Sequence, residues 1–317
     1  MKKIIVIGCP GSGKSTFSRR LSALFGLPVV HLDLLFWNAD RTTVSRGTFD
    51  ERLEKALAED EWIIDGNYAR TLERRLSSCD AVFFLDLPTE DCLRGVQLRK
   101  NKPRPDFPWI ETEDDPELIA EITGFRSEVR PDILRLLEKY PEKELTVFHS
   151  HAEIDAFFEP RLRPATEDEL AEIAGLYAQA ASLPDCTWDE DYPTLADARR
   201  DFLSGGLYVY TLCGRIIGAA SVIAENEYNA LPFWKEKSSA REIARVVIAP
   251  PFRGNGYAAK MLAALCSVLK EQSASAVHLL AAKSNPAAVK TYEKLGFSFL
   301  GEHFCYGIHF FVCEKKL

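Results

Sequence analysis

An apolar run, KKIIVIG, ends in the glycine-rich loop GCPGSGKS at residues 8–15, and the helical pattern KSTFSRRLSALFG follows, closing at Gly26. Few local sequences restrict a chain more. Gly8, Gly13, Lys14 and Ser15 satisfy the spacing G-x-x-x-x-G-K-[ST]. Glycines let the backbone curl until its N–H groups face inward, and the start of the next helix adds its dipole, so the loop suits a phosphate. The residues expected to cradle a nucleotide are Gly8, Pro10, Gly11, Ser12, Gly13, Lys14, Ser15 and Thr16. Lys14 is expected on the β- and γ-phosphates and Ser15 on a magnesium ion.

Strand patterns continue at PVVHLD, EWIIDG, DAVFFLDLP and ELTVFHS. Helical patterns lie between them: TFDERLEKALAE, TEDCLRGVQLRK and a long one, DPELIAEITGFRSEVRPDILRLLEKY. Alternation of this kind predicts an α/β domain with a doubly wound parallel sheet. Ligands then bind at the carboxyl ends of the strands. Three carboxylates are expected there: Asp33, Asp65 and Asp86. One would support magnesium through water, for which Asp65 is the choice, and another would take the proton of a substrate hydroxyl. The plainer reading of each is a helix cap or turn carboxylate, and for Asp86 that reading leads.

The segments GCPGSGKST, HLDLLFW, WIIDGNYARTLERR, AVFFLDLP and LRKNKPRPDFPW together resemble the adenylate-kinase-like P-loop kinases, in the branch usually labelled DNA topology modulation protein. The resemblance covers about residues 1–157 and implies a P-loop NTPase fold, ATP with Mg2+, and lid arginines that clamp the transferring phosphoryl group. Arg94, Arg99 and Arg104 match that role, in a short lid, KNKPRPDFPWIETEDD. Where adenylate kinases read Asp-Gly-Phe-Pro-Arg, this chain reads Asp65-Gly66-Asn67-Tyr68, so an AMP-type acceptor does not follow. A nucleotide or another small hydroxyl compound is the expected acceptor.

A chain of 317 residues has room for roughly two domains of about 150 residues. Its 46% hydrophobic content can fill two cores. Pro160 and Pro164 bracket a short strand-like piece, and Thr166 with Glu169 forms a capping box that opens a new helix. The boundary is therefore set between domains at 1–158 and 161–317. The net charge of −8 argues against non-specific nucleic-acid binding. No apolar run reaches the roughly 18 residues of a membrane span. The eight cysteines are scattered, without C-x-x-C or zinc spacing, and read as reduced thiols of a cytoplasmic protein.

The second half reads as an opening helix, the helix TLADARRDFLS, a hairpin LYVYTLCGRIIGAASVIAE turning at Cys213-Gly214, and the strand REIARVVIAP. Then come a glycine turn, RGNGYA, the helix AAKMLAALCSVLKEQ, the strand AVHLLAA, the helix NPAAVKTYEKLG and closing strands. A glycine turn at a helix start makes a second anion cradle. PPFRGNGYAAKML and NPAAVKTYEKLGF together resemble the GCN5-related N-acetyltransferases (GNAT) over about residues 161–317. The resemblance implies an α+β domain with a mixed sheet, and acetyl-CoA held by Arg253, Gly254, Asn255, Gly256, Tyr257 and Ala258. It places Asn285 on the cofactor and Tyr292 at the departing thiolate.

Transfer of an acetyl group to an amine needs a neutral amine, a polarised carbonyl and a stabilised thiolate. Backbone amides of Val246, Val247 and Ile248 are expected to polarise the carbonyl. Glu242 is the first choice of base, with Glu225 and Glu227 as alternatives. Residues 226–240, with Tyr228, Phe233 and Trp234, are expected to shape the acceptor pocket or to cover the core as a flap. His303 and His309 are too sparse for a metal site. The expectation is a bifunctional enzyme, a small-molecule or nucleotide kinase fused to an acetyltransferase acting on a primary amine. Its rivals are an acetyltransferase regulated by an ATP-binding sensor, and a protein N-acetyltransferase. The sequence leaves the oligomeric state open.

Overall fold

The computed structural model describes residues 2–184, 186–224 and 227–317. The chain forms two compact units, Met1–Ala156 and Phe157–Leu317. In the first, β1 (Lys3–Gly8) is almost wholly buried and leads through the glycine loop into α1 (Lys14–Phe25), which stops at Gly26 with φ 71°. Next come β2 (Val29–His31), α2 (Leu32–Phe36), α3 (Arg46–Leu57), β3 (Trp62–Asp65), α4 (Ala69–Ser78), β4 (Ala81–Leu85) and α5 (Thr89–Arg99). The unit closes with α6 (Pro116–Glu128), α7 (Arg130–Leu137), β5 (Glu144–Phe148) and α8 (His151–Phe157), whose last residue begins the second unit. The five strands are all parallel, in the order β2-β3-β1-β4-β5. The chain leaves β1 for one side and returns to the other, so a crevice opens at the carboxyl end of β1, where the glycine loop lies.

Two expectations are corrected here. Asp33 does not end a strand: β2 stops at His31, and Asp33 sits in the first turn of α2. The single long helix expected over 115–140 is two helices, because Pro131 has no N–H for the carbonyl one turn back and its ring crowds that turn.

The second unit starts with β6 (Arg161–Pro164) and a 3-10 turn carrying the Thr166/Glu169 capping box, then α9 (Leu170–Ala181) and α10 (Leu195–Leu203). The hairpin of β7 (Leu207–Leu212) and β8 (Arg215–Ile223) turns at Cys213 and Gly214, both at positive φ. Then follow β9 (Arg241–Ile248), α11 (Tyr257–Glu271), β10 (Ala276–Ala282), α12 (Pro286–Lys294), β11 (Ser298–Cys305) and β12 (Ile308–Lys316). The sheet is mixed, in the order β11-β12-β10-β9-β8-β7-β6. Its one parallel pair, β9 with β10, is joined only at Arg241↔Val277 and Glu242↔His278. Beyond those residues the two strands part and leave a seam in the sheet. Among the described residues no helix is long and apolar enough to cross a membrane.

Candidate active sites

The first site surrounds the glycine loop. Gly8, Gly11 and Gly13 have φ of 149°, 81° and 92°, values that side chains resist. A Cβ on Gly11 would strike the carbonyl of Cys92, and one on Gly95 the carbonyl of Gly11, so α5 rests on the loop backbone to backbone. Helix α1 starts at left-handed Gly13 with no side-chain cap, which leaves its first N–H groups directed into the crevice. The Ser12 hydroxyl is buried with no hydrogen-bond partner among the described residues. Lys14 Nζ donates to the carbonyls of Gly8 at 2.9 Å and Cys9 at 3.0 Å. Burial lowers its pKa, while Asp33 and Asp65 pull it up.

Asp33 is pushed up by burial, and its carboxylate accepts from the Tyr68 hydroxyl at 2.8 Å. Tyr68 itself precedes α4 at φ 36°. Asp65 is buried, with the His31 ring nitrogen at 2.9 and 3.0 Å from its two oxygens. The Asn67 side chain accepts from Gly8 N–H at 3.0 Å, and wholly buried Arg75 donates to the Gly66, Asn67 and Tyr68 carbonyls. Asp33, Asp65 and Lys14 are thus gathered at the mouth of the loop.

The lid arginines divide. Arg99 and Arg104 share Glu111, at 2.9 and 3.3 Å, and each lies close enough to Asp33 to feel its charge. Arg94, on α5, is 71% exposed and pairs with Asp91 one turn back. Asp86, just past β4, is buried and gripped by Arg130 through three hydrogen bonds of 2.7–2.9 Å, while Pro88 takes the N-cap of α5. Asp106 escaped the sequence reading. It binds Arg19 at 2.9 Å and lies 3.5 Å from Arg104, and its carboxyl is held down by Arg104, Arg19 and Ser15, whose hydroxyl was expected on magnesium. No local motif marks it, since Arg19 and Asp106 are 87 residues apart. Among the described residues no group of three or more His, Cys, Asp or Glu is arranged to hold a metal.

The second site lies at the seam. Strand β9 carries a bulge: its register with β8 slips between Ala219 and Ser221, and opposite the slip Arg245 takes φ 49°. The guanidinium of Arg245 is locked, donating twice to Asp201 at 2.7 Å and once to the Tyr192 hydroxyl at 3.0 Å. Ser221 completes the lock, donating to Asp201 at 2.5 Å. Past the bulge, Val246, Val247 and Ile248 end the stretch of β9 that β10 does not cover. The chain then turns through Arg253, Gly254, Asn255 and Gly256 into Tyr257 and Ala258 at the start of α11. Gly254 and Gly256 are left-handed with open space beside them, and α11 again begins without a side-chain cap. The Asn255 amide reaches the Arg253 carbonyl at 3.2 Å.

Asn285 caps α12, its side chain accepting from Ala288 N–H at 3.0 Å. Tyr292 lies on the same helix, buried and edge-on to Phe297, and burial pushes its phenol up to about 12. Glu242 stands at the last paired position before the seam, 9% exposed. Glu225 and the side chain of Glu227 lie outside the described residues. The flap is well anchored: Trp234 is buried, donates to the Tyr228 carbonyl at 2.7 Å and stacks on His278, while Phe233 covers Gly301. His303 faces Tyr228 and His309 faces Phe304, ring against ring.

Residues 169–297 match the model of the acetyltransferase (GNAT) family. No curated protein matches the chain. Solved structures similar to half of this chain include a GNAT-family acetyltransferase from Streptococcus agalactiae, at 20% identity, 95% of its own length and a TM-score of 0.43. YncA from Salmonella typhimurium, described with its cofactor acetyl-CoA, aligns at 20% identity over 94% of its length with a TM-score of 0.39. A ribosomal-protein-alanine N-acetyltransferase from Brucella melitensis aligns at 21% over 99% of its length with a TM-score of 0.40. Each covers 50% of this chain.

Proposed function

We propose that a chain whose C-terminal unit carries a GNAT domain is an acetyl-CoA-dependent N-acetyltransferase fused to an ATP-dependent P-loop phosphotransferase. The observation that carries the first half of this reading is the seam beside an uncapped helix. Unpaired β9 backbone, an open glycine turn and the bare start of α11 lie in succession, where an extended ligand ending in phosphates would be held. Arg253 to Ala258 would bind the pyrophosphate. Amides of Val246, Val247 and Ile248 would receive the thioester carbonyl. Glu242 would take a proton from the substrate ammonium, and the neutral amine would then attack the thioester. Tyr292, with its pKa held high, keeps its proton at neutral pH and can hydrogen-bond the departing thiolate. Asn285 holds α12, and with it Tyr292, in place.

In the N-terminal unit, the cradle of Gly8, Pro10, Gly11, Ser12, Gly13, Ser15 and Thr16 would bind the phosphates of ATP, and Lys14 would move from the Gly8 and Cys9 carbonyls to the β- and γ-phosphates. Magnesium would neutralise phosphate charge, held by Ser15 and, through water, by Asp65. Asp33, whose pKa is raised by burial, suits the removal of a hydroxyl proton, and Arg99 and Arg104 would cover the transferring group from the lid. The gathering of Asp33 with Lys14 favours a kinase over a nucleotide sensor, which has no use for a base.

The test uses purified protein with ATP–Mg2+ and a panel of nucleoside monophosphates, nucleosides and amino alcohols, and separately with acetyl-CoA and small amines or peptides, read by mass spectrometry. Lys14→Ala should abolish the phosphorylated product. Tyr292→Phe should lower acetyl transfer while leaving acetyl-CoA binding intact. ATP bound tightly with no phosphorylated product would favour the sensor, and acetylation of peptides alone would make the C-terminal unit a protein acetyltransferase.

A further inference from the structure

Glu242, His278 and Glu314 stand side by side across β9, β10 and β12. His278 is in register with Glu242 on one side and with Glu314 on the other. Directly paired residues project from the same face of a sheet, with Cβ atoms about 5 Å apart. The three are 9%, 4% and 7% exposed. Three ionisable groups in one buried row are costly unless they serve one another.

Their surroundings are specific. Glu314 Oε2 lies 3.2 Å from His278 Nε2 and accepts the backbone N–H groups of Lys235 and Glu236 at 2.9 and 3.0 Å. One carboxylate oxygen thus ties the imidazole of β10 to the backbone of the flap. The Trp234 indole lies flat on the imidazole, centroids 3.9 Å apart and planes within 5°. Burial lowers the His278 pKa, while Glu314 from β12 and Glu236 from the flap raise it, the latter also through its backbone. Glu242 faces it from β9. Burial is the largest of these influences, so on balance the His278 pKa is lowered and the ring is neutral at rest, ready to take a proton.

We propose that Glu242, His278 and Glu314 form one proton-handling row behind the acetyl acceptor, with His278 the positioning residue that receives the proton Glu242 takes from the substrate ammonium. The N–H bond of the ammonium breaks as an O–H bond forms on Glu242. That proton then passes to His278, and Glu314 remains a carboxylate beside the imidazolium. The role of Glu242 rests on the acetyltransferase reading, whereas the coupling of the row does not.

The test follows the ring resonances of His278 by NMR as the full chain, labelled in its imidazoles, is titrated. Absence of the signal in His278→Gln assigns it. Glu242→Gln and Glu314→Gln each remove a negative neighbour, so both should shift the His278 midpoint downward. An unchanged midpoint in Glu242→Gln overturns the proposal, whether or not the protein acetylates anything. With an amine substrate in hand, His278→Gln should lower kcat on the order of 10²-fold, leave the KM for acetyl-CoA alone and move the acid limb of the pH profile. If His278 merely anchors the flap, the KM for the amine rises and the pH profile stays in place, which also overturns it. A wild-type chain that transfers no acetyl group would sink the acetyltransferase reading while the titration still decides the coupling.

Discussion

Gly11 and Gly95 touch where any side chain would collide, so the identity of two residues sets how closely α5 lies on the glycine loop. Gly95→Ala should push the helix off the loop and weaken ATP binding by tenfold or more, on the scale of about 1.4 kcal/mol per factor of ten. Calorimetric titration of ATP–Mg2+ into a variant with an unchanged circular dichroism spectrum measures this. In the second unit the Arg245–Asp201 lock has the same rank. Arg245→Ala strands a buried carboxylate and should cost about 3–5 kcal/mol in a denaturant melt. Gly11 was legible, because its loop motif is local. Gly95, Arg245, Asp106 and His278 were not, since each acts on a partner far away in sequence and no spacing rule reports such pairs.

Elements were legible where their signals are local and strong. The capping box of Thr166 and Glu169, the Cys213-Gly214 turn and the Gly26 stop all stand where the residues place them. Helix α2 was missed because five residues are too few to show a helical period, and PVVHLD reads as one strand. The capping box carries a pH prediction. Arg163 and the Thr166 backbone hold the Glu169 carboxyl down to about 2, against an ordinary value of 4.5. A depressed carboxyl stabilises the fold fully above its unfolded pKa and loses that contribution as pH falls through the folded one. Thermal melts between pH 5 and about 2 should therefore show a steeper loss of stability in the wild type than in Glu169→Gln. Thr166→Ala should cost about 1 kcal/mol.

Across the whole molecule, two ligands with different chemistry are expected to stabilise different segments. At a concentration of 100 times Kd, each adds about 2.7 kcal/mol to the form that binds it. Hydrogen exchange should show ATP–Mg2+ slowing amides at the start of α1, and acetyl-CoA slowing those of β9 beyond the bulge and the start of α11. Exchange of the two patterns, or protection by neither ligand, would refute the assignment of the cradles. The parallel sheet was foreseeable from the order of elements, and the mixed sheet from the resemblance of the second half. The short register of β9 with β10 was not, because how far two strands stay together depends on the twist and the bulge rather than on either strand's composition.

That short register gives the second sheet an unusual inventory of edges. An open sheet has two, and edges are where foreign strands add and aggregation begins. Here β9 beyond Glu242 and β10 beyond His278 supply two more, in the middle of the sheet and facing each other. An empty seam is thus a solubility hazard as well as a binding place. Protein stored or heated without an acyl-CoA should precipitate sooner than protein kept with one, and light scattering during a slow temperature ramp would show the difference.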